Sequence, residues 1–398
     1  MKKLLSLILP AVMLYVTPLC ALEKTLSIWT SNENVKKAIL SMAAQFEKEY
    51  QTKVEVNVLN KDLTTQFKTA ALTSKGPDIL CWAHDVIGEL AESGLIEPIT
   101  LPPSLKNQFL PVALNAFTYN GKLFGYPYDL EAVALIYNKA LLPNVPTSLE
   151  ALAKLAKEIN NNGKNQYGFL YDLNNFFFSF PILASNGGYI FKDRSGSLDV
   201  TDIGLDNPGT LAGAKFISYL VKEGIIPPST DRSIAFDKMK AGSLAATIDG
   251  PWSLSDMRKS NIKYGIAPIP SLNGMVARPF VGSHGFIVRR SSANRELAKE
   301  FIENYLVSFE GIVSLYKNDP RGPSRSDAIA QLSKDDPDLL NFMKSAENGI
   351  PMPNVPQMGA VWGSMGSALN LIVSGQSTPE EALKVARQQI YSAVAKAQ

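Results

Sequence analysis

Residues Gly76-Pro-Asp-Ile-Leu-Cys-Trp-Ala-His-Asp85 make an apolar run that closes on an indole, an imidazole and a carboxylate. Trp82 and Asp85 are the pair that a sugar site needs. The C–H face of a pyranose stacks on indole, and its hydroxyls donate to carboxylate oxygens. A glycoside hydrolase would give the same local pattern, with Asp85 and Glu131 as the two carboxyl groups flanking a glycosidic bond. Both readings are open at this point.

Other chemistries are thinly supplied. The chain has two histidines and two cysteines, and no paired Cys/His spacing that would hold a metal. No Gly-x-Ser-x-Gly elbow accompanies either histidine, so His84 reads as a hydrogen-bonded strand-end residue rather than a catalytic one. Phosphate-binding and dinucleotide fingerprints are missing too, and no cofactor is expected. The four tryptophans, Trp29, Trp82, Trp252 and Trp362, stand beside turns or segment edges rather than inside periodic apolar stripes. Trp29 ends an apolar strand and reads as core.

The elements that must position these groups follow from periodicity. Residues 25–29 and 53–59 alternate as strands, 33–50 and 61–75 carry helical apolar spacing, and 78–82 is a continuous apolar strand. This β-α-β-α-β series implies a parallel sheet with its ligand crevice outside the carboxyl ends of the strands. Trp29, Asn32, Glu33 and the 82–85 segment all fall there. Further on, 131–137, 167–173, 244–248, 264–268 and 284–289 read as strands. Thr147-Ser-Leu-Glu150 is a capping box for a helix to about residue 160, and 207–222 is a second helix. From Asn294 the pattern is almost wholly helical, ending in a helix with Thr378 as N-cap, Pro379 first and Glu381 third. No long polar linker divides the chain.

Met1-Lys2-Lys3, the apolar run 4–16 and small residues up to Ala21 read as a secretory signal, residues 1–21, which implies a periplasmic protein. Cys20 raises a lipid anchor, but bulky Leu19 precedes it where a small residue is usual. Without the leader Cys81 is the only cysteine, so no internal disulfide forms. The formal charge of +2 falls to zero with Lys2 and Lys3, which leaves no basic field for nucleic acid.

With these residues in hand, the chain resembles the bacterial maltose/maltodextrin-binding proteins, the periplasmic receptors of an ABC importer. The likeness runs through 76–85, Tyr119-Asn-Gly-Lys122, Leu135-Ile-Tyr-Asn-Lys139, Asn186-Gly-Gly-Tyr189, Gly250-Pro-Trp252, Pro279-Phe-Val-Gly282, Glu296-Leu-Ala-Lys-Glu-Phe301 and Met352-Pro-Asn-Val-Pro-Gln-Met358. It implies an α/β, two-lobed periplasmic-binding-protein fold, each lobe a mostly parallel sheet flanked by helices, with a helical C-terminal region. The lobes would be 22–130 plus 281–335, and 131–280 plus 336–398, with crossings near Glu131, 280–283 and 333–337.

Carried over by position, the resemblance implies stacking by Trp82, Trp252, Trp362 and Phe177, the last in place of the family's tyrosine. It implies polar contacts at Asp85, Glu131 and Glu33 and an apolar one at Met352. Asn34 stands for a lysine, Val86 for an arginine, Asn175 for a glutamate, Gly363 for a tyrosine, Gly366 for an arginine, and Thr64 and Thr65 for paired glutamates. A hydrogen bond to a charged group contributes about 1.5–3 kcal/mol, against about 8 kcal/mol for micromolar binding. Stacking surface is kept and charged hydrogen bonding is reduced. The resemblance therefore implies a monomeric, non-enzymatic receptor for maltose- or maltodextrin-like oligosaccharides, working with ABC importer permease subunits. The alternatives are a glycoside hydrolase or a receptor for another sugar or solute.

Overall fold

The computed structural model describes residues 24–397 apart from Ser74 and Ser195. The expected leader and Cys20 lie outside the described residues. From Lys24 the chain runs strand Lys24–Thr30, helix Glu33–Tyr50, strand Thr52–Val58, helix Leu63–Ala71 and strand Ile79–Ala83. The period of each segment explains its state. Thr52–Val58 buries Thr52, Val54 and Val56 and exposes the residues between them, as a half-buried strand must. Glu33–Tyr50 buries Val35, Ala38, Ile39, Ala43 and Phe46, and Asn32 caps it by accepting from the N–H groups of Asn34 and Val35.

These three strands pair in parallel, with Lys24–Thr30 in the middle. Two strands from later in the chain complete the sheet. His284–Val288 lies antiparallel to Ile79–Ala83, and Tyr126–Pro127 antiparallel to His284–Val288. A second, four-stranded sheet has the order Tyr264–Ala267, Ala134–Asn138, Leu244–Asp249, Tyr167–Phe169, and only its last pair is parallel. The expectation of mostly parallel sheets is therefore corrected to mixed ones. His284–Val288 and Ala134–Asn138 enter their sheets from the other sheet's side, not through a helical crossover, so nothing obliges them to run parallel.

Each sheet has its own core. Leu26, Ile28, Phe46, Ile79 and Phe286 belong to one apolar cluster, and Leu135, Ile136, Phe169, Ala246 and Ile248 to another. The chain passes between them three times: between Tyr126–Pro127 and Ala134–Asn138, between Tyr264–Ala267 and His284–Val288, and between helices Ser326–Leu332 and Pro337–Glu347. The last step is marked by Ala328 in the first cluster and Phe342 in the second. No helix among the described residues is long and apolar enough to cross a membrane.

Several boundaries differ from expectation, among them the helix expected over 61–75, which spans Leu63–Ala71. Ser148, not Thr147, caps helix Leu149–Ile159, and Glu150 accepts instead from the backbone of Asn273 at 2.7 Å. The strand expected from Glu131 begins at Ala134, because Glu131 is already paired outside the sheet with Gly282. The strand from Tyr167 stops at Phe169, where the chain turns toward helix Phe176–Ala184. At the C-terminus the capping box is as read: the Glu381 N–H donates to Thr378 Oγ1 and the Thr378 N–H to Glu381 Oε2, both at 3.3 Å.

Residues 350–358 stitch the two halves. Ile350–Pro351 pairs with Phe280–Val281, the Asn354 carbonyl accepts from the Gly88 N–H at 2.8 Å, and Asn354 Nδ2 donates to the carbonyls of Ala116 and Thr118. Gly88 permits this approach, since a Cβ there would lie 2.4 Å from the Asn354 oxygen and 2.7 Å from Pro356 Cδ. Both are stiff backbone or ring atoms. Gly88→Ala should therefore lower unfolding free energy by about 1–3 kcal/mol in denaturant titration, the range for overpacking; an unchanged midpoint would show that the seam yields freely.

Candidate functional site

Two crossing segments run side by side. Glu131 and Gly282 exchange both backbone hydrogen bonds, at 2.9 and 2.8 Å, and on the other side Asp129–Leu130 pairs with Gly322–Pro323. Residues two apart on an extended segment share a face. Asp129 and Glu131 thus present their carboxylates together, toward His284 at the start of its strand and Arg321 just before Gly322.

Arg321 is the centre of this cluster. Its Nη1 pairs with Glu131, its Nε donates to Asp319 Oδ2 at 2.8 Å, and Nε stands 3.8 Å from Asp129. Asp319 also accepts from Asn32 Nδ2 at 2.8 Å, which ties in the N-cap of the first helix. Burial works against the guanidinium charge, but Glu131, Asp319 and Asp129 outweigh it and hold the Arg321 pKa well above its ordinary value. His284 Nδ1 lies 3.1 Å from Asp129 Oδ2 and 3.9 Å from Glu131. Burial pulls this imidazole down, while Asp129 and Glu131 more than restore it, so its pKa is raised above 6.5.

Asp129, Glu131 and His284 offer ligand atoms within 4.8 Å of one another, a set of metal-ligand type that spacing along the chain does not reveal. Here the positive charge is supplied from within, by Arg321. His84, in contrast, is buried and structural. Its Nε2 faces the Met352 carbonyl at 2.8 Å and so carries a proton, while Nδ1 lies 3.1 Å from both the N–H and the carbonyl of Ser283. Cys81 is buried as well, and burial pushes its thiol up to about 12, far from a reactive thiolate.

The aromatic residues gather on the second core. Trp252 follows strand Leu244–Asp249, and its indole N–H donates to Asp249 Oδ1 at 2.6 Å. The indole folds back over Gly250 so closely that a Cβ there would lie 2.2 Å from the ring. Phe177 and Phe178 flank it at 6.1 and 6.0 Å between centroids, and Phe280 joins Phe177 to Trp362 at 5.8 and 5.9 Å. The Arg321 guanidinium lies over Trp252, 5.3 Å from the ring centroid. Asp249 is buried and bonded to Arg232, yet burial dominates and its pKa is raised.

A further bond, between side chains, adds to the seam at 350–358. Trp362, on helix Met358–Val373, donates its indole N–H at 3.0 Å to Asp85, in the turn after strand Ile79–Ala83. Burial raises the Asp85 carboxyl, against the opposing effects of His84 and the Trp362 bond. Trp82 is half-buried beside the small cluster of Leu63, Phe67 and Ile87, where Val86 and Trp29 also pack. The structure thus connects Asp85 to Trp362, and through Phe280, Phe177, Trp252 and Arg321 to Glu131.

The other residues singled out from sequence are placed differently. Glu33 is exposed and Asn34 half-buried, and neither side chain hydrogen-bonds into the cluster. Asn32 does so. Asn175 spends its side chain on capping helix Phe176–Ala184, while the neighbouring Asn174 has a buried Oδ1 with no hydrogen-bond partner among the described residues. Met352 is buried and serves through its carbonyl. Thr64 and Thr65 sit on helix Leu63–Ala71, Thr65 exposed. At Gly363 and Gly366, and at Gly359 one turn earlier, an added Cβ would meet nothing within 4 Å, so one face of helix Met358–Val373 is bare. Sequence reasoning missed Arg321, Asp319, Asp129, Asp249 and Arg232. The available signal was the turn chemistry of Asp319-Pro-Arg-Gly-Pro323 and Asp249-Gly-Pro251, which marks chain reversals at strand and helix ends.

The model of the bacterial extracellular solute-binding proteins matches residues 41–341. A maltotriose-binding protein of Pyrococcus abyssi is 30% identical over 322 residues, 78% of this chain and 69% of that protein. The maltodextrin-binding protein MdxE of Bacillus subtilis is 30% identical over 386 residues, 92% of this chain and 90% of its own. A galactooligosaccharide-binding protein of Bacillus subtilis is 28% identical over 375 residues, covering 90% and 86%.

Two outcomes are expected from this geometry. A raised histidine pKa means the folded state holds the proton more tightly; the stabilisation is complete below about pH 6.5 and is lost as pH rises through the folded value. Thermal melts of His284→Asn should lose that part of the wild-type slope, and parallel pH profiles would contradict it. Gly363→Ala should raise stability by about 0.5–1 kcal/mol, because alanine forms helix better and the site is open; a lowered melting temperature would mean that the face is covered.

Proposed function

The chain belongs to the bacterial extracellular solute-binding proteins, and we propose that it captures a maltodextrin-like oligosaccharide between its two halves and delivers it to an ABC importer. The observation that carries this reading is the Asp85–Trp362 hydrogen bond, which brings a strand end of the first sheet against a helix of the second core. Around that junction stand half-buried indoles and carboxylates, the mixture that sugar recognition requires: apolar ring faces for stacking, acceptors for hydroxyl protons. Trp82, Trp252, Trp362 and Phe177 would stack, and Asp85 and Glu131 would accept, with Glu33, Asn34, Asn175 and Met352 at the margins. The relatives support the class of ligand through their names, which cover maltotriose, maltodextrin and galactooligosaccharide.

On this reading 22–130 plus 281–335 form one lobe and 131–280 plus 336–398 the other. Ligand touching both stabilises the closed arrangement by its differential affinity, and permease subunits recognise that form. Residues 1–21 would direct export to the periplasm, where the protein works as a monomer without catalytic turnover.

Isothermal titration against maltose, maltotriose, galactooligosaccharides and non-sugar solutes tests the reading. At least one oligosaccharide should bind, and Trp252→Ala should weaken it about 10- to 100-fold, equivalent to about 1.5–3 kcal/mol of lost aromatic burial. Absence of heat with every sugar in a folded sample would sink it. Hydrolysis of any glycan that vanishes in Glu131→Gln would favour the glycosidase instead.

A further inference from the structure

We propose that Arg321 reads the ligand directly, donating from its Nη2 amino group to an uncharged oxygen of a sugar held against Trp252, and that its carboxylate partners exclude anionic sugars. The inference rests on the receptor reading above and names the residue that sets its preference for uncharged ligands. Three of the guanidinium's features carry it. Its Nε is committed to Asp319 and its Nη1 to Glu131, with His284 Nδ1 at 3.5 Å from Nη1. Nη2 makes no hydrogen bond among the described residues, and it is not among their buried unpaired atoms, so it reaches accessible space. The guanidinium is also held in place, between three carboxylates and the face of Trp252, whose own N–H is tied to Asp249.

A donor held in this way reads an acceptor without first being ordered, which is the advantage of a planar, anchored fork. The charge balance decides which acceptor. Asp129, Glu131 and Asp319 oppose one guanidinium and a histidine, and Asp85 adds a carboxyl at the junction with Trp362. A ligand carboxylate or phosphate would meet surplus negative charge and little to pair with. A ring, glycosidic or hydroxyl oxygen accepts from Nη2 without that repulsion. Neutral oligosaccharide is therefore the class that fits.

The test uses the chain without its leader. Maltotriose, a neutral galactooligosaccharide and the C6-carboxylated derivative of whichever binds are titrated calorimetrically against wild type and Arg321→Lys. Lysine keeps the positive charge for Asp319 and Glu131 but removes Nη2 and the flat face. With melting temperatures matched, the variant should bind the neutral sugar at least about 10-fold more weakly, the scale of one charged-donor hydrogen bond. Wild type should bind the carboxylated derivative at least about 100-fold more weakly than its neutral parent. Binding by Arg321→Lys within twofold of wild type would overturn the proposal. So would a carboxylated derivative that binds as tightly as the neutral sugar, and that comparison stands even if the variant does not fold. If no neutral sugar binds wild type at all, the receptor reading itself fails, and this inference falls with it.

Discussion

Three carboxylates meet one guanidinium where the chain crosses between its two sheets, and the crossing segments are held by keeping that meeting satisfied. An uncompensated charge buried among protein atoms is strongly destabilising, so Asp129, Glu131 and Asp319 hold Arg321 in place as firmly as it neutralises them. Asp129 and Glu131 come from the first crossing, and Asp319 and Arg321 from the loop that precedes the third. Their mutual pairing, with the Glu131–Gly282 backbone bonds, binds the crossings into a narrow ribbon. His284, bonded to Asp129 within the same ribbon, makes its local charge responsive to proton concentration.

A second contact system lies beside the ribbon. Phe280 stacks on Phe180 at 3.6 Å and reaches both Phe177 and Trp362, so the aromatic belt is anchored in the second core rather than lying loose on its surface. From that anchored belt Trp362 extends to Asp85. On the proposed function, a bound sugar would find its stacking surfaces already ordered. Its hydroxyls would then compete for acceptors that the protein itself uses when alone, a competition that tunes affinity downward and favours release.

How much of this could be read from residues alone depends on the range of the interaction. Helix Glu33–Tyr50 and strand Thr52–Val58 were legible because period and capping are local properties of the chain. So was the Thr378–Glu381 capping box. The parallel character of the sheets was misjudged because strand direction depends on where a segment arrives from, which periodicity does not encode. The apolar helix Phe176–Ala184 shows no amphipathic rhythm because it is buried nearly all round. At the site, Asp85 and Trp362 were singled out separately, but their bond joins residues 277 apart. Arg321 was overlooked for the same reason: an arginine in a proline-flanked loop looks solvated until Asp129 and Glu131 are brought to it from far along the chain.

The strand order of the first sheet has a consequence for how the chain acquires its structure. His284–Val288 lies between Ile79–Ala83 and Tyr126–Pro127, so no sheet containing all five strands exists until residue 288 is available. A polypeptide emerging from its N-terminus must therefore hold an incomplete sheet, with an unpaired apolar edge, while the whole of the second sheet is made. Such long-range pairing slows folding and prolongs exposure of that edge. The complete first sheet becomes available only late in synthesis, a delay that keeps its unpaired edge accessible in the meantime.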